Sequence, residues 1–358
     1  MNSENNYKLA VIPGDGIGPE VVREGLKVLK AASEISNFKY EFEELPHGSE
    51  HFLATGELFP DSVIEHLKSF DAIYLGAIGD PRVEPGLVEH AVISSIRFKF
   101  DLYVNLRPIK AFADHLVPLK GVRASDIDFI VVRENTEDLY TNTGGIIRKG
   151  TPDEIAIAQM VFTRKGVERA IRYAFELAKE RNGKKKVTLV DKANAIRAMD
   201  IWTRTFAEVA EEYPDIKTDH AYVDACCMWM IKNPNDFDVI VTNNIFGDII
   251  TDLGAMLQGG MGVAASGNIH PGKLSMFEPI HGSAPKYKGQ NKANPIAAIS
   301  AVAMMLDYLG EQKAAGIIEG TIRHLLETKK IPDLSATDGL STTDIGDMVA
   351  ETVKEMGS

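Results

Sequence analysis

The sequence predicts an α/β protein in which part of the sheet is parallel. Short apolar segments typical of strands alternate with segments whose apolar residues recur every three to four positions, as in amphipathic helices. Strands that alternate with helices commonly pair in parallel. The 358 residues, of which 44% are hydrophobic and 25% are charged, are enough for two lobes or one large α/β unit.

The expected elements follow in chain order. A strand in YKLAVIP leads through the glycine-rich turn GDGIG into a helix with Pro19 in its first turn. Further strands are expected in DAIYLGAI, IDFIVVRE, KVTLVD and FDVIVTN. Helical periodicity marks TRKGVERAIRYAFELAKERNG and FGDIITDLGAMLQGG, and residues 293–330 are expected to form two consecutive helices.

The glycine-rich turn does not match the dinucleotide fingerprint. Gly14, Gly16 and Gly18 are spaced G-x-G-x-G, whereas the Rossmann motif is G-x-G-x-x-G. A tight turn that needs glycine for its backbone conformation is at least as good an interpretation as a phosphate cradle. We therefore infer no cofactor from this turn.

Composition excludes several classes of protein. No stretch reaches the roughly 18 apolar residues of a membrane span, and no secretion signal is recognised, so a cytoplasmic protein is expected. The adjacent Cys226 and Cys227 do not suit a structural disulfide, which fits a reducing compartment. The net charge of −12 argues against nucleic acid as a partner.

A metal site is the strongest local prediction. Asp248 and Asp252 lie four residues apart on an expected helix, so they share one face. Asp224 follows another strand-like segment, HAYVDACC. The alternative is a solvated acidic face, but the apolar surroundings favour a cation. Oxygen ligands suit Mg²⁺ or Mn²⁺.

Cationic and proton-transfer residues suggest a carboxylate substrate. Arg97, Arg107 and Arg133 could together bind a di- or tricarboxylate, although a surface ion pair is the commoner role for any one arginine. Lys192 follows the strand KKVTLV at its carboxyl end and could accept a hydroxyl proton, and Tyr140 in RENTEDLY could return a proton to carbon. Taken singly, each is more often structural or exposed.

Six motifs together resemble the β-decarboxylating dehydrogenases: GDGIGPE, NLRP, VVRENTE, DKAN, VTNNIFGDIITDL and FEPIHGSAP. This family includes isopropylmalate, isocitrate, homoisocitrate, tartrate and D-malate enzymes, and the chain most resembles the 3-isopropylmalate dehydrogenases. The resemblance implies a two-lobed fold with an open mixed sheet that is not a Rossmann fold. Its lobes would be residues 1–105 with 260–358, carrying the cofactor loop, and residues 106–259, carrying the interface of a homodimer with shared active sites.

The resemblance also implies roles for individual residues. Arg97, Arg107 and Arg133 would bind substrate carboxylates, Asp248 and Asp252 would bind the metal, and Asp224 and Lys192 would come from the other subunit. Lys192 would be the base and Tyr140 the proton donor. The residues implied for cofactor binding are Asn194, Glu278, His281, Gly282, Ser283, Ala284, Lys286, Tyr287 and Asn294.

Two departures from the family pattern affect specificity. NAD-dependent members carry aspartate after GSAP, whereas this chain has Lys286 and Tyr287, which resemble NADP-dependent isocitrate dehydrogenases. Lysine can pair with a 2′-phosphate, so NADP is expected over NAD. In the substrate helix, Ile93 and Ser94 stand where isopropylmalate enzymes carry two leucines, so only half of that apolar pocket is present.

We therefore expect 3-isopropylmalate as the substrate, with leucine biosynthesis as the role. Isocitrate, homoisocitrate, tartrate and D-malate are the alternatives. A silent regulatory subunit would lack some of the catalytic and metal residues. This chain has all five of them: Tyr140, Lys192, Asp224, Asp248 and Asp252. A nucleic-acid-binding module would need basic patches, but the basic run is confined to NGKKKVT.

Overall fold

The computed structural model of the protein describes residues 5–334 and 339–357. The chain divides into two compact units. The first comprises Met1–Asp101, Lys110–Ser125 and Ala255–Ser358, and the second comprises Leu102–Ile109 and Asp126–Gly254.

Twelve strands are formed by the described residues. In chain order they are β1 (Asn6–Gly14), β2 (Lys39–Glu44), β3 (Ala72–Ala77), β4 (Val104–Lys110), β5 (Asp128–Glu134), β6 (Gly144–Ile147), β7 (Ile155–Ala158), β8 (Lys186–Asp191), β9 (Lys217–Tyr222), β10 (Val239–Thr242), β11 (Ala265–Ile269) and β12 (Ser275–Pro279). The strands predicted in five segments are among them.

The described residues also form twelve α-helices, with short 3₁₀ and π turns between them. The helices are α1 (Gly18–Ser36), α2 (Ser49–Thr55), α3 (Asp61–Leu67), α4 (Leu87–Glu89), α5 (Ser95–Lys99), α6 (Arg164–Arg181), α7 (Asp200–Ala210), α8 (Val223–Lys232), α9 (Asn244–Leu257), α10 (Ile296–Tyr308), α11 (Gln312–Glu327) and α12 (Thr342–Gly357). In the part of the chain described here, no helix is long and apolar enough to cross a membrane.

The first unit contains a mixed sheet in the order β2-β1-β3-β12-β11. β1 runs parallel to β2 and β3, β12 runs parallel to β3, and β11 is antiparallel to β12. Helices α1, α10, α11 and α12 pack on one another, and α10 also contacts β3, β11 and β12. The predicted α/β class with a mixed sheet is confirmed.

The second unit contains parallel strands in the order β5-β10-β8-β9, with β4 beside β5. Helix α6 packs on β5, β8 and β10 through an apolar face that includes Val167, Ile171 and Phe175. Because parallel strands end at the same edge of a sheet, the segments after β5, β8 and β10 emerge together. At this edge lie Glu134, the last residue of β5, together with Lys192 and Asn243, which follow β8 and β10 directly.

The unit boundaries differ from the expected division at residues 105/106 and 259/260. After β4, residues 110–125 belong to the first unit. The Lys110 amide donates to Gln258 Oε1 at 2.8 Å, and the His115 ring lies 3.1 Å from the Pro332 carbonyl. These bonds explain why this segment does not stay with the second unit, where the sequence-based division had put it.

Candidate active site

Asp248 is the centre of a cluster of charged side chains in the second unit. Its Oδ1 accepts a hydrogen bond from Arg133 Nη1 at 2.5 Å, and its Oδ2 accepts one from the Tyr140 hydroxyl at 2.8 Å. Arg107 Nη2 lies 3.5 Å from the same carboxylate. With Asp252, these residues form what we call the Asp248 cluster. Arg107, Arg133, Tyr140 and Asp252 were all predicted as site residues. The fold brings them around Asp248, a predicted metal ligand.

Both arginines of the cluster are held rigidly. Arg133, at the end of β5, is fully buried and donates from Nε to Asn244 Oδ1 at 2.9 Å. Arg107, on β4, donates to Asn105 Oδ1 at 2.7 Å and to Thr251 Oγ1 at 2.6 Å. The guanidinium groups are therefore pre-oriented, which lowers the entropy lost when they bind an anion.

Gly247 makes the approach of Arg133 to α9 possible. A Cβ at residue 247 would lie 2.5 Å from Arg133 Cγ, a separation that real side chains do not tolerate. The glycine of NNIFGD therefore leaves room for the arginine stem. It also allows the guanidinium to reach Asp248 in the next position of the helix.

Asp252 lies one helical turn beyond Asp248, and its side chain is about half exposed, at 56%. Desolvation raises the pKa of Asp252, the Asp248 charge adds to that rise, and Arg107 opposes it. A divalent cation would relieve the repulsion between the two carboxylates, so this pair fits Mg²⁺ or Mn²⁺. In residues 5–334 and 339–357, no three acidic, histidine or cysteine side chains gather as a ligand set.

The other predicted proton-transfer residue forms a separate pair. Lys192, just after β8, makes an ion pair with Asp224, and its ammonium lowers the pKa of that carboxyl. Asp224 does not end a strand, as HAYVDACC suggested, but is the second residue of α8. Asn194, two residues after Lys192, is exposed. Asp224 therefore does not join Asp248 and Asp252 in this chain.

Two buried carboxylates that the sequence analysis missed shape the turn carrying Tyr140. Glu134 accepts hydrogen bonds from the Thr136 amide, the Thr136 hydroxyl and the Glu137 amide. Asp138 accepts from Asn243 Nδ2 at 2.6 Å and from the Ile245 amide at 2.9 Å. Glu134 lies within the motif VVRENTE and bonds to its neighbours, so its role could have been suspected from the sequence, whereas Asn243 and Ile245, the partners of Asp138, lie more than 100 residues away.

The first unit contains a pocket of about 630 Å³ near the predicted cofactor loop. Its lining includes Gly282, Ser283, Ala284 and Lys286, all of which were predicted. The Lys286 ammonium lies 4.6 Å over the Tyr287 ring. The opposite wall was not predicted and contains Ile78, Gly79, Asp80, Pro81, Val83, Pro85 and Glu89.

The glycine-rich turn supports this pocket as a tight turn. Asp15 is buried and accepts hydrogen bonds from the Ser49 and Gly79 amides, each at 2.8 Å. The Ile17 amide donates to the Ser283 carbonyl at 2.8 Å. Gly16 has a φ of 58°, and a Cβ there would lie 1.9 Å from the Ser283 carbonyl oxygen. Glycine is thus required for the backbone and for close packing against the loop.

Two other predicted residues of the first unit bind each other. Arg97 Nη2 donates to Glu278 Oε1 at 3.1 Å, and Asn268 donates to the same oxygen at 2.7 Å. Glu278 therefore orients an arginine that was assigned to the substrate. Ile93 and Ser94 are half-buried in a π-helical turn, His90–Ser94.

The remaining predicted cofactor residues have local partners. Asn294 is buried, and its Oδ1 accepts a hydrogen bond from the Ile296 amide at the start of α10. The His281 ring contacts the Gly282 carbonyl at 3.0 Å, and burial lowers the pKa of that imidazole. The neutral ring is therefore favoured next to the pocket.

Comparisons with known proteins identify the family of the chain. The family model described as isocitrate/isopropylmalate dehydrogenase matches residues 8–349. A Thermobifida fusca protein named 3-isopropylmalate dehydrogenase is 49% identical over 99% of this chain and 100% of its own length. A Nocardia farcinica protein of the same name is 48% identical over 97% of this chain and 100% of its own length.

Solved structures show the same likeness. Isocitrate dehydrogenase from Methylococcus capsulatus superposes with a TM-score of 0.87 at 37% identity, over 97% of this chain and 99% of that one. A β-decarboxylating dehydrogenase from Thermococcus kodakarensis gives a TM-score of 0.78 at 32% identity, over 98% and 96%. The chain belongs to the isocitrate/isopropylmalate dehydrogenase family, whose members are metal-dependent dehydrogenases that use a nicotinamide nucleotide.

The buried Glu134 predicts a pH dependence of stability. Burial raises the pKa of Glu134 from 4.5 to about 7, so folding takes up a proton between these two pH values. The stabilisation is therefore complete below pH 4.5 and lost as the pH rises through 7. Glu134→Gln should remove this slope. In urea unfolding, wild type should lose up to roughly 3 kcal/mol between pH 5 and pH 8 that the variant does not lose.

The exposed Glu211 offers a matched control for this measurement. Glu211→Gln should follow the wild-type pH dependence. If Glu134→Gln also followed it, the account of Glu134 would be wrong.

Proposed function

We propose that this protein is an NADP-preferring, metal-dependent dehydrogenase that oxidatively decarboxylates 3-isopropylmalate. The observation that carries the chemistry is the Asp248 cluster, in which two oriented arginines and a tyrosine surround a pair of carboxylates. The choice of substrate is supported by the names of the relatives that match the chain over its full length. Leucine biosynthesis is the corresponding role.

The proposed reaction converts a 2-hydroxy acid with a carboxylate on C3 into a 2-oxo acid and CO₂. When bound, a nicotinamide nucleotide would supply the acceptor for the hydride from C2, and a divalent cation would supply the positive charge that polarises the C2 oxygen. Asp248 and Asp252 would hold that cation, with Asp224 of a second subunit as the third carboxylate.

The side chains of the protein supply binding and proton transfer. Arg97, Arg107 and Arg133 pair with the carboxylates of the substrate and fix its orientation. Lys192 accepts the hydroxyl proton as hydride leaves C2. The bond between C3 and its carboxylate then breaks, and the Tyr140 hydroxyl donates a proton to C3.

Lys286 supports the preference for NADP. Lys286 lines the pocket of about 630 Å³ in the first unit, and its ammonium can donate to a 2′-phosphate but cannot accept hydrogen bonds from ribose hydroxyls. The neighbouring Tyr287 holds the lysine stem in place through a cation–π contact at 4.6 Å. An aspartate in position 286 would favour NAD instead.

Exposed apolar surfaces of the second unit support a homodimer. β6 and β7 form a two-stranded sheet of their own, and Ile146, Ile147, Ile155 and Ile157 on it are each about half exposed. A lone hairpin is only marginally stable in water. On α8, which carries Asp224, Met228 is 70% exposed and Trp229 42%. Burial of these surfaces against a second copy of the chain would stabilise the β6–β7 sheet and α8. The cytoplasmic enzyme would then be a homodimer whose active sites contain residues of both subunits.

Isocitrate is the second candidate substrate. Ser94 stands where isopropylmalate enzymes carry an apolar residue in the substrate helix, and the solved structures similar to this chain include a protein named isocitrate dehydrogenase. One methylene in an apolar pocket changes selectivity by only about 1–3 kcal/mol, so a serine can shift the preference without abolishing turnover.

The test is a kinetic comparison of five acids, each with NADP and NAD in the presence of Mg²⁺ or Mn²⁺: 3-isopropylmalate, isocitrate, homoisocitrate, D-malate and tartrate. The highest kcat/KM is expected for 3-isopropylmalate with NADP. A higher value for another acid would reject the proposed substrate, and no turnover of any acid would reject the enzyme.

Lys286→Asp separates the cofactor proposal from the substrate proposal. Loss of one charge-assisted contact should move the NADP to NAD ratio of kcat/KM by about tenfold or more toward NAD. The ranking of the acids should not change. An unchanged ratio, or a wild type that works equally well with NAD, would contradict the role of Lys286.

Shared active sites predict complementation between inactive variants. Lys192→Met and Asp252→Asn should each lose nearly all turnover as homodimers. After subunit exchange in an equal mixture, about half of the dimers would be mixed, and one of the two sites in each mixed dimer would have both residues intact. About a quarter of wild-type activity should therefore return. Asp248→Asn mixed with Asp252→Asn should stay inactive, because both defects lie in the same half. Equal inactivity of the two mixtures, with exchange verified, would reject shared sites.

A further inference from the structure

We propose that Asp138 is a positioning residue that holds the Tyr140 hydroxyl against Asp248 for the return of a proton to the substrate, an inference that rests on the proposed function. Asp138 lies in the turn between β5 and the Tyr140 segment and is fully buried.

The side chain of Asp138 fastens this turn to the start of α9. Its Oδ2 accepts one hydrogen bond from Asn243 Nδ2 at 2.6 Å and another from the Ile245 amide at 2.9 Å. Asn244 Nδ2 adds a bond to the Glu137 carbonyl at 3.2 Å. Burial raises the pKa of Asp138, and the hydrogen bonds from the Ile245 amide, in the first turn of α9, and from Asn243 offset part of that cost.

The backbone of Asp138 determines where Tyr140 lies. Asp138 has a φ of 73°, a left-handed conformation that aspartate tolerates better than most residues. The chain then enters a short 3₁₀ turn, Asp138–Thr141, which contains Tyr140. The Tyr140 hydroxyl reaches Asp248 Oδ2 at 2.8 Å. One helix therefore holds the turn at two points, through Ile245 and through Asp248.

The arginine and metal part of the cluster is held chiefly by residues other than Asp138, although the Arg133 charge acts on the Asp138 carboxyl and opposes the rise that burial causes in its pKa. Arg133 lies on β5 before the turn, and Asn244 and Asp248 hold its guanidinium. Asp252 lies further along α9. Loss of the Asp138 carboxylate should therefore displace Tyr140 while leaving carboxylate binding and Mn²⁺ binding in place.

This separation predicts a specific kinetic signature. Asp138→Ala should lower kcat by at least about tenfold, a part of the roughly 10²–10⁴ that a positioned proton donor contributes. Asp138→Asn should lower it less, because an amide keeps one acceptor and tolerates the left-handed backbone. KM for the substrate and the affinity for Mn²⁺ alone should stay within about twofold of wild type. The exposed Asp215 offers Asp215→Asn as a control that leaves kcat unchanged.

A double-mutant cycle tests whether Asp138 acts through Tyr140. In a Tyr140→Phe background, Asp138→Ala should cost less than about twofold in residual turnover, since the proton donor is already missing. An equal fall in both backgrounds, or a raised KM with unchanged kcat, would overturn the proposal. Asn243→Ala removes one of the two hydrogen-bond donors to Asp138. It should lower kcat by a smaller factor, again without raising KM, and it replaces Asp138→Ala as the test if that variant does not fold.

A second measurement does not depend on turnover. In fluorine NMR spectra of protein labelled with 3-fluorotyrosine, the resonance of Tyr140 can be assigned by comparison with the labelled Tyr140→Phe variant, because only that resonance is missing there. Asp138→Ala should move this resonance, and Asp215→Asn should not. An unmoved resonance would refute the positioning role even in an active enzyme. A wild type that turns over none of the tested acids would instead refute the proposed function, and with it the catalytic purpose of this positioning, whereas the resonance would still report whether Asp138 places Tyr140.

Discussion

The carboxylate of Asp248 is the contact on which the arrangement of the site depends. Arg133 is 1% exposed, and an unpaired guanidinium at such a position would be very costly. Asp248 supplies the opposite charge, and Gly247 supplies the space. The same carboxylate fixes Tyr140 and lies near Arg107. The position of α9 relative to β4 and β5 is therefore tied to the chemistry of one side chain.

Buried carboxylates that accept backbone amides recur in both units. Asp15 joins the glycine-rich turn to the segments at Ser49 and Gly79, while Glu134 and Asp138 shape the turn before Tyr140. Each replaces backbone hydrogen bonds that an irregular turn cannot make for itself. These hydrogen bonds fasten the turns without regular secondary structure.

Regular elements and spacings could be predicted from the sequence, and long-range pairings could not. Periodicity located α6 and α9, and the helical repeat placed Asp248 and Asp252 on one face. The antiparallel β11–β12 pair and α12 were missed, because local patterns do not specify their partners. Asp138 and Asn243 are 105 residues apart, and Arg97 and Glu278 are 181 apart. Such contacts follow from the fold, so spacing along the chain gives no sign of them.

The central claim is that Asp248 and Asp252 form a divalent cation site within the arginine and tyrosine cluster. Electron paramagnetic resonance of Mn²⁺ tests it most directly, since the signal of the free ion falls on binding. Titration of the full-length protein should show one site per chain, which Asp252→Asn and Asp248→Asn should each weaken by tenfold or more, roughly the energy of one charged ligand. Unchanged Mn²⁺ binding in both variants would contradict the account.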